Sequence, residues 1–285
     1  MISKEVAQQI WQIQLKTRKI LSGTMVGGQR TANKGAGFDF DQVREYAQGD
    51  DLRFIDWKST ARSGKLLTKQ YFEERNHNIM IALDVSSSSF VSHKYSLMAE
   101  LAAIFALVAD YSKDNVGLTL FSDQINLQLP MKRAQAHTMR VMEVVFSFKP
   151  SVKASTNIDL VLNHLMRTLK KKTLIVLISD FIADNDYQRS LKCLQHRHDI
   201  VVVRCLDSYE QVMPALGILP IIDPETGELA VLDTRKNDIL NLVVQDRIKQ
   251  QDLMLRSCGV DVLDIKDKLQ AVPEVVKFFR KRLMY

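Results

Sequence analysis

The feature that most constrains the fold is a regular alternation of short apolar runs with helical patterns, which begins near residue 78. Three nearly continuous apolar runs are typical of strands that are covered on both faces: Ile79–Leu83, Thr173–Ile178 and Ile200–Leu206. Strands that alternate with helices require right-handed crossovers and form a mostly parallel sheet. The sequence therefore predicts a doubly wound, Rossmann-type α/β domain over residues 76–285.

The remaining elements complete this pattern. Helical spacing of apolar residues predicts helices at 93–112, 135–147, 157–171, 185–197, 236–256 and 272–283. Further strands are expected at Gly117–Phe121, Ile125–Leu129, Leu219–Ile222, Leu229–Leu232 and Val260–Ile265. The segment Asp223–Gly227 has the composition of a hairpin turn.

Residues 1–75 have a different character and are predicted to form a separate N-terminal segment. They contain seven of the eleven glycines, and apolar residues at helical spacing predict an amphipathic helix over 5–22. Residues 30–75 are expected to be irregular, with short strand-like pieces such as Leu66–Phe72. The predicted organisation is thus a segment 1–75 that packs on a domain 76–285.

Composition excludes several classes of protein. The longest apolar stretch, Leu101–Ala109, is too short to cross a bilayer, and the polar N-terminus has no signal-peptide pattern. Three widely spaced cysteines without a CxxC motif argue against a disulfide framework or a structural zinc site. These observations predict a cytoplasmic protein with no membrane partner.

Polar side chains with oxygen donors follow the predicted strands. Asp84, Ser86 and Ser88 come directly after the first buried strand, Asp180 follows Thr173–Ile178, and Thr156 precedes a helix. The carboxyl ends of parallel strands meet at one edge of a sheet, where ligands bind. Hydroxyl and carboxylate oxygens suit one hard cation, Mg²⁺ or otherwise Mn²⁺ or Ca²⁺, and leave a coordination position open for an outside carboxylate. Alternatively, Asp84 and its serines cap the following turn.

These residues resemble the metal-ion-dependent adhesion site of von Willebrand factor A domains. The resemblance implies that Ser86, Ser88 and Thr156 coordinate the metal, that Asp84 and Asp180 act directly or through water, and that a partner's acidic side chain completes the shell. The family often has glycines before the threonine, whereas this chain has Ala154 and Ser155. The sequence therefore leaves open whether Ser155 or Thr156 is the ligand.

The segment ahead of the α/β domain resembles the signature of the domain-of-unknown-function 58 family. The matching stretches are GAGFDF at 35–40, REY at 44–46, GDDLRFIDWK at 49–58 and ARSGKL at 61–66. In that family a von Willebrand A-like domain follows this signature. The resemblance implies work with a MoxR-type AAA+ ATPase in the maturation or chaperoning of other proteins.

The signature segment is rich in alternating charges. Its near-balanced pattern suits either an internal ion-pair network or a partner-facing surface, and Arg44, Arg53 and Arg62 are the candidate partner-binding residues. Ile55 and Trp57 are expected to pack, because bulky apolar residues are usually buried.

Catalysis and nucleic-acid binding are the alternatives to an interaction module. The chain has no phosphate-binding glycine loop, no aspartyl-phosphate motif and no nucleophile elbow, so the sequence predicts a protein that is not an enzyme, with a metal-dependent hydrolase as the disfavoured reading. The net charge of +6 comes from residues 1–75 and 266–285, since the part between them carries 20 basic and 22 acidic residues. The basic ends permit nucleic-acid binding, but such short basic runs usually mark solvated helix ends.

Overall fold

The computed structural model describes residues 34–35, 39–48, 50–72, 77–91, 94–150, 153–182, 186–206, 215–265 and 271–283. The helix predicted at 5–22 lies outside this part of the chain. The described residues fall into two compact units, one between residues 34 and 72 and the other from His77 onward. Each unit is described by itself.

The first unit contains a small antiparallel sheet, one short α-helix and a 3₁₀ helix at Leu52–Phe54. Its strands are β1 (Lys34–Gly35), β2 (Asp39–Glu45) and β3 (Leu67–Phe72), in the spatial order β1-β3-β2, and its α-helix is α1 (Trp57–Ser63). The sequence predicted that residues 30–75 are irregular, with short strand-like pieces such as Leu66–Phe72. The piece at 66–72 corresponds to β3, whereas β2 and α1 were not located.

Local capping explains why α1 forms without an apolar face. The Asp56 side chain accepts hydrogen bonds from the backbone amides of Lys58 and Ser59, and Gly64 ends the helix with a left-handed φ of 69°. A side-chain cap at the first turn and a glycine just past the last turn are the usual boundaries of a helix.

The two bulky apolar residues of this unit differ in their burial. Ile55 is 8% exposed and forms an isolated bridge with Thr68, as expected for a packing residue. The expectation that Trp57 packs is wrong, because its side chain is 68% exposed. Trp57 is the first residue of α1, which buries none of its residues, so its ring has no core to enter.

The second unit is built on a six-stranded sheet, which confirms the predicted doubly wound, mostly parallel α/β fold. Its strands are β4 (Asn78–Asp84), β5 (Asn115–Phe121), β6 (Ile125–Lys132), β7 (Leu174–Ser179), β8 (Asp199–Cys205) and β11 (Asp261–Ile265). The spatial order is β11-β8-β7-β4-β5-β6, and of these strands β6 is antiparallel to its neighbour. The strand β4, in which six of the seven residues are buried, therefore lies between β7 and β5.

Helices cover both faces of this sheet. They are α2 (Lys94–Tyr111), α3 (Gln135–Ser147), α4 (Ile158–Thr168), α5 (Gln188–Gln195), α6 (Asn237–Ser257) and α7 (Ala271–Leu283). Side chains of α2, α3 and α7 pack with Ile79, Ile81 and Leu83 on one face, while α4, α5 and α6 pack with Met80 and Ala82 on the other. This alternation follows from the two-residue period of a strand. None of the described helices has the length and apolar character that crossing a membrane requires.

The segment between β8 and α6 contains a separate β-hairpin. Its strands are β9 (Ile218–Ile222) and β10 (Leu229–Asp233), which pair antiparallel as a two-stranded sheet. The predicted turn at Asp223–Gly227 joins them, with the Gly227 amide donating to the Asp223 carbonyl at 2.8 Å. Most residues of both strands are exposed, so the hairpin adds little to the core.

Candidate metal centre

Three loops meet at the carboxyl edge of the six-stranded sheet. Two follow the central strands β4 and β7, and the third precedes α4. Reciprocal hydrogen bonds join the first and third loops: the Ser87 amide donates to the Ala154 carbonyl at 2.8 Å, and the Ala154 amide donates to Ser87 Oγ at 2.8 Å. This pairing holds the Ser86–Ser88 turn beside Thr156, and the sequence analysis gave Ser87 no such role.

Asp84 lies at the floor of the site, with no exposed surface. Its Oδ1 accepts a hydrogen bond from the Ser86 amide at 2.9 Å, and its Oδ2 accepts one from Ser179 Oγ at 2.6 Å. Burial and the neighbouring charge of Asp180 raise the pKa of Asp84 to about 7. The ionised form of Asp84 therefore needs a nearby positive charge.

The serine hydroxyls have the spacing that adjacent metal ligands require. Ser86 Oγ and Ser88 Oγ are 3.1 Å apart, and Ser86 is buried while Ser88 is partly exposed. Two neighbouring ligands of an octahedral Mg²⁺ ion, each about 2.1 Å from the metal, lie about 3 Å from each other. The two hydroxyls therefore fit one edge of such an octahedron.

Asp180 is fully buried and already has a cationic partner. Lys94 Nζ donates to Asp180 Oδ2 at 2.8 Å, and the Lys94 side chain is itself only 3% exposed. The other carboxylate oxygen accepts a hydrogen bond from the Ile182 amide at 2.9 Å. Sequence reasoning missed Lys94, because a lysine at the start of a helix gives no local sign of a partner 86 residues away.

The two candidates that the sequence left open in the third loop differ in their burial. Thr156 is 7% exposed, whereas Ser155 is exposed. Thr156 Oγ1 donates to Glu225 Oε1 at 3.2 Å. Burial raises the pKa of the Glu225 carboxyl, and the nearby Ser88 hydroxyl opposes this shift. Thr156 therefore lies on the same side of the site as Ser88, and Glu225 is a further member that the sequence analysis missed.

Two non-glycine residues beside the site have left-handed backbone. Phe181, next to Asp180, has a φ of 59°, and Lys153, three residues before Thr156, has a φ of 61°. Such conformations cost about 1–3 kcal/mol and concentrate at functional sites. Buried packing of Phe181, which is 1% exposed, holds the first of them in place.

The donor set fits a divalent cation of the kind that the resemblance implies. Among the described residues no group of three or more His, Cys, Asp or Glu side chains is placed to hold a metal ion, so the fit rests on hydroxyl oxygens as well as carboxylates. When ionised, the carboxylates of Asp84, Asp180 and Glu225 and the ammonium of Lys94 carry two net negative charges. A divalent cation would neutralise them.

The predicted partner-binding arginines lie in the first unit. Arg44 pairs with Asp50 at 2.7 Å, and Arg53 pairs with Asp51 at 2.6 Å. Arg62 is exposed in the last turn of α1. Their contact with a partner stays a prediction.

The fold and the site together define a class: a doubly wound α/β domain with hydroxyl and carboxylate side chains gathered at the carboxyl edge of its sheet. The family described as "Protein of unknown function DUF58" matches residues 42–252. The chain belongs to this family, as the resemblance in the sequence indicated.

Proteins of several bacteria are similar to this chain. An uncharacterized protein of Mycobacterium tuberculosis is 22% identical over 279 residues, which cover 95% of this chain and 87% of that protein. Among solved structures, the conserved hypothetical protein BatB from Bacteroides thetaiotaomicron has 16% identity and a TM-score of 0.47, covering 72% of this chain and 99% of that one. A von Willebrand factor type A structure from Catenulispora acidiphila has 12% identity and a TM-score of 0.42, covering 73% and 42% of the two chains.

Proposed function

We propose that this protein is a non-catalytic interaction module that binds one divalent cation, Mg²⁺ or a similar ion, and uses it to bind a carboxylate of a protein partner. The observation that carries the proposal is the pair of serine hydroxyls, Ser86 and Ser88, 3.1 Å apart above the buried carboxylate of Asp84. Oxygen donors of this kind select hard cations over zinc or copper.

Each residue has a distinct role in this proposal. Ser86, Ser88 and Thr156 would hold the ion, and Asp84 and Asp180 would supply negative charge directly or through water. The bound ion would act as a Lewis acid that attracts a carboxylate oxygen. Ser179 and Lys94 would orient Asp84 and Asp180, because each donates a hydrogen bond to one of these carboxylates.

The family resemblance suggests the class of partner. A MoxR-type AAA+ ATPase, or a client protein presented to it, would contribute the acidic side chain, in the maturation or chaperoning of other proteins. The proposal places this interaction in the cytoplasm, which agrees with three cysteines that are free thiols.

Capture of the partner on the tagged protein tests this function. We expect an AAA+ ATPase to bind the wild type in Mg²⁺ and to be lost in EDTA. Thr156→Val removes one hydroxyl ligand with little change in shape, so it should abolish capture in Mg²⁺. Ser155→Ala, at the exposed neighbouring position, is the matched control and should bind as the wild type does. Equal capture in EDTA and Mg²⁺, or by the Thr156→Val variant, would contradict the proposal.

A further inference from the structure

The β9–β10 hairpin brings a carboxylate of this chain to the candidate metal centre. Glu225 lies in the turn between the two strands, where its amide donates to Asp223 Oδ1 at 2.8 Å. Thr226 Oγ1 donates to Asp223 Oδ2 at 2.9 Å. These bonds fix the backbone of the turn, so the direction in which Glu225 extends is set by the hairpin itself.

The Glu225 carboxylate lies against residues that face the open side of the site. Thr156 Oγ1 donates to it at 3.2 Å. Burial raises the pKa of the Glu225 carboxyl, and the nearby Ser88 hydroxyl opposes this shift. Ser88 and Thr156 are the two least buried of the hydroxyl ligands in the proposed function. A carboxylate from outside would have to approach through the same two residues.

Within the described part of the chain, few other contacts hold the tip of the hairpin, and one of them is the Lys153 side chain beside Gly227. Its strands expose large apolar side chains, including Ile222 at 65% and Val231 at 70%. Glu225 is half-buried, while its neighbours from 221 to 224 and from 226 to 230 are exposed. Thr234 secures the base of the hairpin, where its Oγ1 donates to the Gly217 carbonyl at 2.7 Å. The hydrogen bond from Thr156 to Glu225 is therefore one of the few contacts that hold the tip.

Charge balance allows one carboxylate in this position. Asp84 and Asp180, offset by Lys94, carry one net negative charge when ionised, and a single added carboxylate matches a divalent cation. A second added carboxylate would leave a partly buried negative charge without a counterion, which is costly. Glu225 and a partner's carboxylate would therefore compete.

We infer that Glu225 is an internal ligand of the candidate metal centre, which occupies the place of the partner's carboxylate until the β9–β10 hairpin moves away. This inference rests on the proposed function. It adds that the Glu225 carboxylate competes with the partner's carboxylate for the same position on the metal ion. A partner would have to displace the hairpin, so the exposed form of the site would be the binding-competent one.

Two measurements on three proteins test the inference: the wild type, Glu225→Ala and Glu228→Ala. Glu228 lies in the same hairpin and is exposed, so its variant is the matched control. Amide hydrogen exchange of residues 218–233, measured in EDTA, reports whether Glu225 holds the hairpin. We expect about tenfold faster exchange in Glu225→Ala, because the hydrogen bond from Thr156 to a charged group is lost, and wild-type exchange in Glu228→Ala.

The second measurement is water proton relaxation with bound Mn²⁺. Removal of an internal ligand leaves a coordination position to water, so Mn²⁺ bound to Glu225→Ala should relax solvent protons more strongly than Mn²⁺ bound to the other two proteins. Wild-type exchange rates in Glu225→Ala, or unchanged relaxation, would overturn the inference. If the wild type binds no Mn²⁺, the proposed function fails and Glu225 is not a metal ligand, while the exchange data still show whether it holds the hairpin.

Discussion

Lys94 is the residue whose chemistry is least expected at a cation site. Its ammonium group lies 2.8 Å from a carboxylate oxygen of Asp180, and both side chains are almost completely buried. A buried charge is tolerated when it is paired, and loss of one partner leaves the other uncompensated. Lys94 therefore lowers the negative charge of the site without filling the positions of the hydroxyl ligands.

We predict that Lys94→Met lowers the free energy of unfolding by about 3–5 kcal/mol in the absence of metal, because Asp180 would lose its buried counterion. Urea unfolding measures this change. Lys171→Met, at an exposed position, is the control and should change stability by less than about 0.5 kcal/mol. The double variant Lys94→Met/Asp180→Asn should recover much of the loss. Equal stability of Lys94→Met and Lys171→Met would contradict this account of the pair.

Some residues of the candidate metal centre could be predicted from the sequence and others could not, and the difference has a physical reason. Asp84, Ser86 and Ser88 could be found because they directly follow a buried strand, and strand ends are where chemistry gathers in this fold. Glu225 lies 69 residues from Thr156, and its hairpin gives no local sign of what its tip will contact. Contacts between residues that are distant in the sequence cannot be predicted from the local sequence pattern.

At the scale of elements, the buried strands and helices could be predicted from the sequence, whereas an exposed helix could not. β4, β7 and β8 were predictable because they are covered on both faces and read as apolar runs. α1 buries none of its residues, so its only sequence signals were the cap at Asp56 and the glycine at 64. Apolar periodicity therefore predicts elements that build the core and misses elements held by capping.

The connection between α5 and β8 contains a buried histidine. His198 is 4% exposed, and neither ring nitrogen has a hydrogen-bond partner within the described part of the chain. Burial, assisted by the charge of Arg197, lowers the pKa of His198 below its usual value of 6.5. The folded protein therefore binds a proton here less readily than the unfolded chain does.

We predict that the buried, neutral His198 makes the free energy of unfolding depend on pH, with a loss of stability as the pH falls. Its contribution is fully present above the unfolded pKa of about 6.5 and is lost as the pH falls towards the folded pKa. Urea unfolding at pH 7 and pH 5 should show His198→Leu gaining stability relative to the wild type at the lower pH. His196→Leu, at an exposed position two residues away, is the control for the replacement of a histidine by leucine. A constant difference between His198→Leu and the wild type at both pH values would contradict the prediction.

At the scale of the whole molecule, charge is unevenly distributed along the chain. Residues 1–75 carry 13 basic and 9 acidic residues, and residues 266–285 carry 6 and 2, while the part that contains the site is slightly acidic. A slightly acidic domain with buried carboxylates favours a cation as its ligand. Nucleic-acid binding would instead depend on the basic ends and would weaken steeply with salt.

The direct test of the central claim is calorimetric titration of the protein with Mn²⁺ near pH 7. The account predicts one ion per chain for the wild type, with release of protons, because the pKa of Asp84 is raised to about 7 by burial and by Asp180. Asp84→Asn, which removes the charge and keeps the shape, should lose this binding, and the exposed control Asp246→Asn should retain it. No binding by the wild type, or unchanged binding by Asp84→Asn, would contradict the account.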